Sequence, residues 1–208
     1  IEMANTTFNG PVRSQNGFQT VSKNATSGAI TVTSGDKMSA EAAGGAGIEG
    51  TAAVYVTQVN RLMSDVSTNV NIVKTTIIID LTGLKDGGTA GDIIGKDGSG
   101  VAYIGQVTTV NQGVVFGVTM TCVETPAGGS TDIDLFSATE GTGVNDTAIG
   151  DLTETQIINA GAASAGTMVA GGDIAADQFL YLVSQGTGDA TYTAGRFLIE
   201  ITGYDVAS

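Results

Sequence analysis

The acidic residues between positions 132 and 151 are the part of the sequence that comes nearest to a metal site. Asp132 and Asp134 share the solvent face of a predicted strand, and Glu140, Asp146 and Asp151 follow in the next loop. Such a loop supplies the carboxylate oxygens that Ca²⁺ prefers. The stretch lacks the Asp-x-Asp-x-Asp-Gly spacing of an EF-hand, with its glutamate at the twelfth position. We therefore predict no bound metal, and calcium is the one ion worth testing there.

A lysine in a glycine-rich stretch is the second candidate for chemistry, because phosphate-binding loops place Gly-Lys before Ser or Thr. Here Gly95-Lys96 is followed by Asp97, whose carboxylate would repel a phosphate. Ala90 stands where the first glycine of such a loop belongs. We predict a turn at this position and no cofactor.

Nucleophilic and acid–base catalysis need side chains that this chain largely lacks. The 208 residues include no histidine and one cysteine, so a Ser-His or Cys-His pair and a cysteine cluster for zinc are excluded. Paired carboxylates are common in an acidic chain, but clefts that cleave carbohydrates usually present aromatic platforms, and the sequence has no tryptophan. We predict that the protein is not an enzyme and has no catalytic residue.

Charge is the strongest signal in the composition. With 21 Asp and Glu against 8 Lys and Arg, the formal net charge is −13. A surface this acidic repels phosphate backbones, which disfavours nucleic acid as a partner. The sequence also lacks a run of about 18 apolar residues that would cross a membrane. Between Lys96 and Arg196 there is no basic residue, so we expect the acidic surface on the C-terminal part of the chain.

The elements that must position these residues are predicted to be strands. Val, Ile and Thr are abundant, helix formers are scarce, and 31 glycines supply turns. In the best central strand, Ile77, Ile79 and Leu81 share one face. Predicted strands span 30–34, 53–59, 73–84, 101–109, 114–124, 132–136, 179–184 and 196–204.

The strand predicted over 114–124 has the longest alternation of apolar residues. It assigns Val114, Phe116, Val118, Met120 and Cys122 to one side. Because that side is the core side, Cys122 is predicted to be a buried, inert thiol. A single cysteine also fits synthesis in a reducing cytoplasm.

Turns and one helix complete the predicted secondary structure. Thr153 and Gln156 have the spacing of a capping box, which predicts a helix of about two turns within 151–160. Strands separated by glycine turns, without a fixed repeat, predict an all-β fold, a β-sandwich of jelly-roll type over residues 51–208. Asp-Gly, Gly-Gly and related pairs predict hairpin turns at 85–88, 96–100, 111–113 and 126–129.

The first 50 residues have a different composition, polar and glycine-rich, with little alternation. Pro11 favours an extended backbone, and the Ala-Gly stretch at 42–47 is typical of a flexible joint. We predict that residues 1–50 form an extended N-terminal arm and joint, ordered only on a neighbouring subunit. A mobile tail is the plainer alternative. The residues predicted to contact the partner are Phe8, Pro11, Val12, Arg13 and Phe18.

Three segments resemble parts of known virion proteins. Residues 8–18, Phe-Asn-Gly-Pro-Val-Arg-Ser-Gln-Asn-Gly-Phe, resemble the opening of structural proteins from tailed, particularly marine, bacteriophages. Residues 121–135 and 193–204 resemble the β-domains of such proteins. The resemblance covers a minority of the chain and carries no catalytic signature. It implies a capsid decoration or cement protein of the virion, made in the host cytoplasm.

These observations predict a non-enzymatic phage virion structural protein, a decoration or cement protein that bridges capsid subunits and stabilises the head. Its predicted partners are capsid subunits and copies of itself in a homo-oligomer, without nucleic acid or membrane. One alternative is a carbohydrate-binding or host-attachment jelly-roll module, which exposed Tyr103, Tyr181, Tyr192 or Tyr204 beside acidic residues would favour. The other is a self-assembling fibre or tube subunit whose N-terminal segment donates a strand to the next copy.

Overall fold

The computed structural model of the chain describes residues 20–23, 30–34, 40–41, 44–48, 52–61 and 69–207. The chain divides into two compact units, Ile1–Met38 and Ser39–Ser208. In the first unit, β1 (Thr20–Lys23) pairs antiparallel with β2 (Ile30–Ser34). The second unit contains β3 (Ala40–Glu41), β4 (Ala52–Arg61), β5 (Asn69–Asp80), β6 (Asp92–Ile93), β7 (Gly105–Gln106), α1 (Thr109–Gln112), β8 (Val114–Ala127), β9 (Ile133–Ala138), a 3-10 turn (Ile149–Asp151), β10 (Glu154–Ile158), β11 (Met168–Gly171), β12 (Phe179–Ser184) and β13 (Ala194–Ala207).

Two antiparallel sheets make up the second unit, and the predicted all-β fold is confirmed. Within the described residues, the large sheet has the strand order β11-β8-β13-β5-β4-β3. The small sheet has the order β10-β9-β12-β6, and β7 also pairs with β12. From β5 onward the pairing is nested: β13 pairs with β5, β12 with both β6 and β7, β11 with β8, and β10 with β9. The chain therefore passes repeatedly from one sheet to the other.

One hydrophobic core takes side chains from both sheets. On β13 of the large sheet, Phe197, Ile199 and Ile201 are buried. Leu135 of β9 and Leu182 of β12, both in the small sheet, belong to the same cluster of buried side chains. Alternating side chains of two sheets that meet in one core give a sandwich-like arrangement.

Burial of Cys122 and positive φ at the predicted glycine turns are both confirmed. Cys122 is 1% exposed, and burial raises the pKa of its thiol, so it is a small core side chain of low reactivity. Each predicted glycine turn contains a glycine at positive φ. At the end of β8, for example, Gly128 has φ 89°, and a Cβ there would lie 2.5 Å from the carbonyl oxygen of Thr191. Among the described strands, none of the four turns joins two that pair with each other, so the prediction that they are hairpin turns is wrong.

The helix predicted within 151–160 is wrong, because residues 154–158 form the edge strand β10 against β9. Thr153 does not cap a helix. Its Oγ1 donates to Glu140 Oε1 at 2.8 Å, and its backbone N–H donates to Oε2 at 2.9 Å. These bonds lower the pKa of Glu140. Pairing with a neighbouring strand outweighs a weak local helix signal.

The strand predicted over 101–109 is wrong along most of its length. Only Gly105–Gln106 forms a strand, and α1 begins at Thr109. The Thr108 side chain caps α1 by accepting from the Asn111 N–H at 3.2 Å. Among the described residues, no helix is long and apolar enough to cross a membrane.

Residues 44–48, within the predicted joint, are hydrogen-bonded to the sandwich. The Gly45 N–H donates to the Tyr103 carbonyl at 2.9 Å, and the Gly47 N–H donates to the Val101 carbonyl at 2.7 Å. Ile48 is buried in the core cluster. This short segment is therefore part of the packed second unit.

Candidate interaction surfaces

The exposed side of the large sheet is the first candidate surface, and we call it the outer face. Leu198 of β13 and Ile78 of β5 lie opposite each other there and are half-buried. Larger exposed apolar side chains lie toward its ends, including Phe116, which is 52% exposed, and Met168, which is 63% exposed. Phe116 contacts Tyr204, with ring centroids 6.2 Å apart. Apolar side chains gathered on one face are a feature of surfaces that contact other proteins.

The prediction that Val114 and Phe116 face the core is wrong. Both side chains are exposed, whereas Val118 and Met120 further along the same strand are buried. The register against β13 shifts between Thr202 and Gly203. Such a bulge inserts an extra residue, and one extra residue moves the side chains beyond it to the opposite face of the sheet.

Charged side chains on the outer face are paired with each other. Arg196 Nη2 lies 2.8 Å from Asp80 Oδ2 and 3.8 Å from Glu124 Oε2, and Lys74 forms an ion pair with Glu200. The hydrogen bond from Arg196, together with hydrogen bonds from Thr82, lowers the pKa of Asp80 to about 2. Among the side chains that the structure describes on this face, these two cations and three anions nearly balance, in a chain of net charge −13.

A buried carboxylate ties three loops of the sandwich together. Asp86 is 2% exposed, and its Oδ1 accepts from the Ala190 N–H at 2.7 Å while its Oδ2 accepts from the Ser130 N–H at 2.8 Å. The Tyr192 hydroxyl donates to the Ser130 carbonyl at 3.0 Å. Burial, with Asp86 nearby, raises the pKa of Tyr192. Because both carboxylate oxygens hold backbone N–H groups, the role of Asp86 is structural.

The glycine-rich stretch around Lys96 forms a turn, as predicted. The Ser99 N–H donates to the Lys96 carbonyl at 3.2 Å. Asp97 lies beside a different cation, with its Oδ2 3.3 Å from Lys85 Nζ, and Asp189 Oδ1 lies 3.2 Å from the same nitrogen. These two carboxylates, Asp189 foremost, raise the pKa of Lys85. Lys85 is therefore engaged in ion pairs.

The acidic residues of 132–151 hold separate parts of the structure. The prediction that Asp134 faces solvent is wrong, since it is 1% exposed. Its carboxylate accepts from Gln156 Nε2 at 2.8 Å and from the Ala160 N–H at 2.9 Å, which offsets the cost of burial. Asp146 Oδ1 accepts from the Gly88 N–H at 2.9 Å. Within the described part of the chain, no group of three or more metal-ligating side chains is placed to hold an ion.

The predicted partner contacts lie outside the described residues. They are Phe8, Pro11, Val12, Arg13 and Phe18. The prediction that these residues bind a partner therefore stays a prediction.

The four tyrosines whose exposure beside acidic residues would favour a carbohydrate-binding module are not exposed together. Tyr181 and Tyr192 are buried. Tyr103 is half-buried against Phe179, with ring centroids 5.0 Å apart. Tyr204 is exposed, and its ring neighbour is Phe116 on the outer face. The number of tyrosines in the sequence does not reveal which of them are buried and which are exposed.

No protein-family model, no curated protein and no solved structure matches the chain. What can be inferred about its function comes from its own residues.

Proposed function

We propose that the chain is a non-enzymatic structural protein of a phage virion, a decoration or cement protein that binds capsid subunits and stabilises the head. The observation that carries the proposal is the outer face, where exposed apolar side chains lie beside paired charges. Such a face suits contact with another protein, because it buries apolar area without stranding an unpaired charge. Negative charge elsewhere on the chain favours solubility and disfavours nonspecific contact between copies.

The nested pairing supports the finer proposal that the sandwich is a jelly roll. If β6 and β7 are counted as one strand, the chain has eight successive strands from β5 to β13. The first of them (β5) pairs with the last (β13), the second (β6 and β7) with β12, the third (β8) with β11, and the fourth (β9) with the fifth (β10). Rolling up one long antiparallel hairpin produces this order. In this proposal, β3 and β4 extend the large sheet beyond the eight strands of the jelly roll. Jelly rolls are common in viral capsid and lectin domains.

The resemblance of residues 8–18, 121–135 and 193–204 to proteins of tailed phages supports a location in the virion. In this proposal, residues 1–50 include an arm that contacts a capsid subunit. Apolar side chains would fill pockets there and an arginine would pair with a carboxylate. The contacts are Phe8, Pro11, Val12, Arg13 and Phe18.

Two variants test the arm and the outer face separately on capsids that lack the protein. Deletion of residues 3–20 removes the arm, and Phe116→Ser combined with Tyr204→Ser removes the aromatic pair. Loss of contact residues of this kind is expected to weaken capsid binding about tenfold or more. Binding is measured as occupancy after co-sedimentation over a range of protein concentrations.

Val110→Ser is the matched control, because Val110 is 91% exposed in α1 and is not part of the outer face. It is expected to bind capsids like the wild type. Unchanged occupancy for the deletion would reject the arm, and unchanged occupancy for the aromatic variant would reject the outer face as the contact.

A further inference from the structure

A polar cleft on the small sheet is separate from the outer face. Its volume is about 360 Å³, which is within the range of about 300 to 1,000 Å³ that is usual for small-molecule sites. It lies between β10, the end of β9 and the segment that joins β11 to β12. The cleft is therefore large enough for a small ligand.

Four hydroxyl side chains line this cleft as two cross-strand pairs. Ser137 of β9 lies opposite Thr155 of β10. Beyond the strand end, the Thr139 N–H donates to the Thr153 carbonyl at 3.2 Å. Opposed residues of antiparallel strands share a face of the sheet, and so do residues two apart on one strand. The four hydroxyls consequently form a two-by-two array on one face.

Ser137 is the member of the array that points to a ligand. It is only 2% exposed, yet its hydroxyl makes no hydrogen bond with any of the described residues. Every fully enclosed side-chain nitrogen or oxygen in the described structure has a partner, so the Ser137 hydroxyl is reached from the cleft. A nearly buried hydroxyl is expected to have a hydrogen-bond partner, and here the partner has to come from the cleft.

Ser184 shows the usual arrangement for comparison. It is buried in the neighbouring strand β12, and its Oγ accepts from the Gly186 N–H at 3.1 Å. The two serines thus have similar burial in one sheet but differ in hydrogen bonding. The difference indicates that the position of Ser137 is not explained by folding alone.

The other polar groups of the cleft indicate the class of ligand. Glu154 and Asp173 contribute carboxylates, which accept hydrogen bonds, and Gln178 contributes an amide, which both donates and accepts. No basic residue is among the side chains that line the cleft, so an anionic ligand would be repelled. Ile157 offers a small apolar surface beside them. A neutral molecule rich in hydroxyl groups satisfies all of these requirements.

We propose that this cleft binds a neutral saccharide, with Ser137 and Thr155 exchanging hydrogen bonds with sugar hydroxyls and with Glu154 and Asp173 accepting from them. The binding site is independent of the capsid-binding proposal, because none of the outer-face residues lines the cleft. None of the tyrosines whose exposure would have favoured a carbohydrate-binding module lines this cleft.

The test uses the full chain with Ser137→Ala and the matched control Ser184→Ala. Ser137→Ala removes a hydroxyl that has no partner among the described residues, so binding is expected to weaken about 2- to 10-fold without a fall in Tm. Ser184→Ala removes the acceptor of the Gly186 N–H, so Tm is expected to fall while binding stays unchanged. Thr155→Val, on the exposed edge strand, provides a second binding variant if Ser137→Ala fails to fold.

Backbone amide chemical shifts report binding during titration with the methyl glycosides of glucose, galactose, mannose and N-acetylglucosamine. The titration extends to about 10 mM, well above a Kd of about 1 mM. Saturating shifts at Ser137, Thr155 and Gln178 with at least one neutral glycoside, and not with a sulfated or carboxylated sugar, are expected. The proposal is overturned if no neutral glycoside binds, if Ser137→Ala and Thr155→Val both bind like the wild type, or if the anionic sugars or Ca²⁺ alone give the same shifts.

Discussion

The two sheets of the sandwich differ in what covers their faces. Every residue of β9, from Ile133 to Ala138, is buried, and so is all of β12 after Phe179. In β13 of the large sheet, by contrast, buried Phe197 and Ile199 alternate with half-buried Leu198. The two central strands of the small sheet, β9 and β12, are thus enclosed on both faces, while its edge strand β10 is largely exposed. The large sheet leaves one face of its described strands open to solvent. The enclosed interior and the apolar surface available for contact therefore belong to different sheets.

A loop after β9 provides part of the cover on the small sheet. The Tyr181 hydroxyl of β12 donates to the Glu140 carbonyl at 2.8 Å and accepts from the Gly143 N–H at 3.2 Å. Burial raises the pKa of Tyr181. The loop approaches so closely that a Cβ on Gly143 would lie 2.5 Å from Ile93 Cδ1. Close packing of this kind explains why both faces of β12 are apolar.

The largest expected difference in the free energy of unfolding is between two Leu→Ala variants, one in each sheet. Leu182→Ala, in doubly covered β12, leaves a cavity and is expected to lower the free energy of unfolding by about 2–5 kcal/mol. Leu198→Ala, on the outer face, is expected to cost less, about 1–2 kcal/mol, because the side chain is only partly buried. Urea unfolding followed by circular dichroism measures both values. Equal losses would contradict the contrast between the sheets.

A smaller loss of stability is expected from changing the buried carboxylate of Asp86, which holds loops in place. Each carboxylate oxygen of Asp86 accepts from one backbone N–H, and Asp86→Asn replaces one of these oxygens by an amide group that donates. The free energy of unfolding is therefore expected to fall by about 1–3 kcal/mol. Asp97→Asn is the control, because that exposed carboxylate only pairs with Lys85, and its expected cost is below about 1 kcal/mol. Denaturant unfolding compares the two, and a loss no greater for Asp86→Asn than for the control would show that the loops do not depend on the carboxylate.

The smallest expected effect concerns the ion pair on the outer face. The pKa of Asp80 is lowered to about 2 from the usual value of 3.8, so the pair stabilises the folded state above about pH 4, and this contribution is lost as the pH falls through about 2. Since Arg196 and Asp80 are 45% and 37% exposed, solvent screening limits the effect of Asp80→Asn to about 1 kcal/mol or less at neutral pH.

Nuclear magnetic resonance titration of the Asp80 carboxyl carbon checks this prediction directly. A midpoint near 2 in the wild type, moving part of the way toward the ordinary value in Arg196→Gln, is the expected result, because Arg196 is the largest cause of the lowered pKa and the hydrogen bonds from Thr82 remain. A midpoint near 4 in the wild type would show that the pair does not persist in solution.

Local patterns predicted several elements well. The strand predicted over 179–184 matches β12, because a continuous run of apolar residues between polar segments suits a strand covered on both faces. Burial of Cys122 also followed from simple alternation. The candidate site was less predictable from the sequence, since the hydroxyl array that includes Ser137 and Thr155 depends on which strands pair. The sequence shows a serine within a largely apolar strand but does not show whether its hydroxyl has a hydrogen-bond partner.

The all-β class, the positions of most long strands and the glycines at positive φ could be predicted from the sequence, because side-chain periodicity and glycine's access to positive φ are local properties. The tertiary structure decided which face each residue occupies after a bulge, as Phe116 shows. It also decided that Glu154–Ile158 is a strand and that Asp134 is buried. These outcomes depend on strand register and on hydrogen-bond partners from distant positions in the chain, so alternation within a single segment cannot encode them.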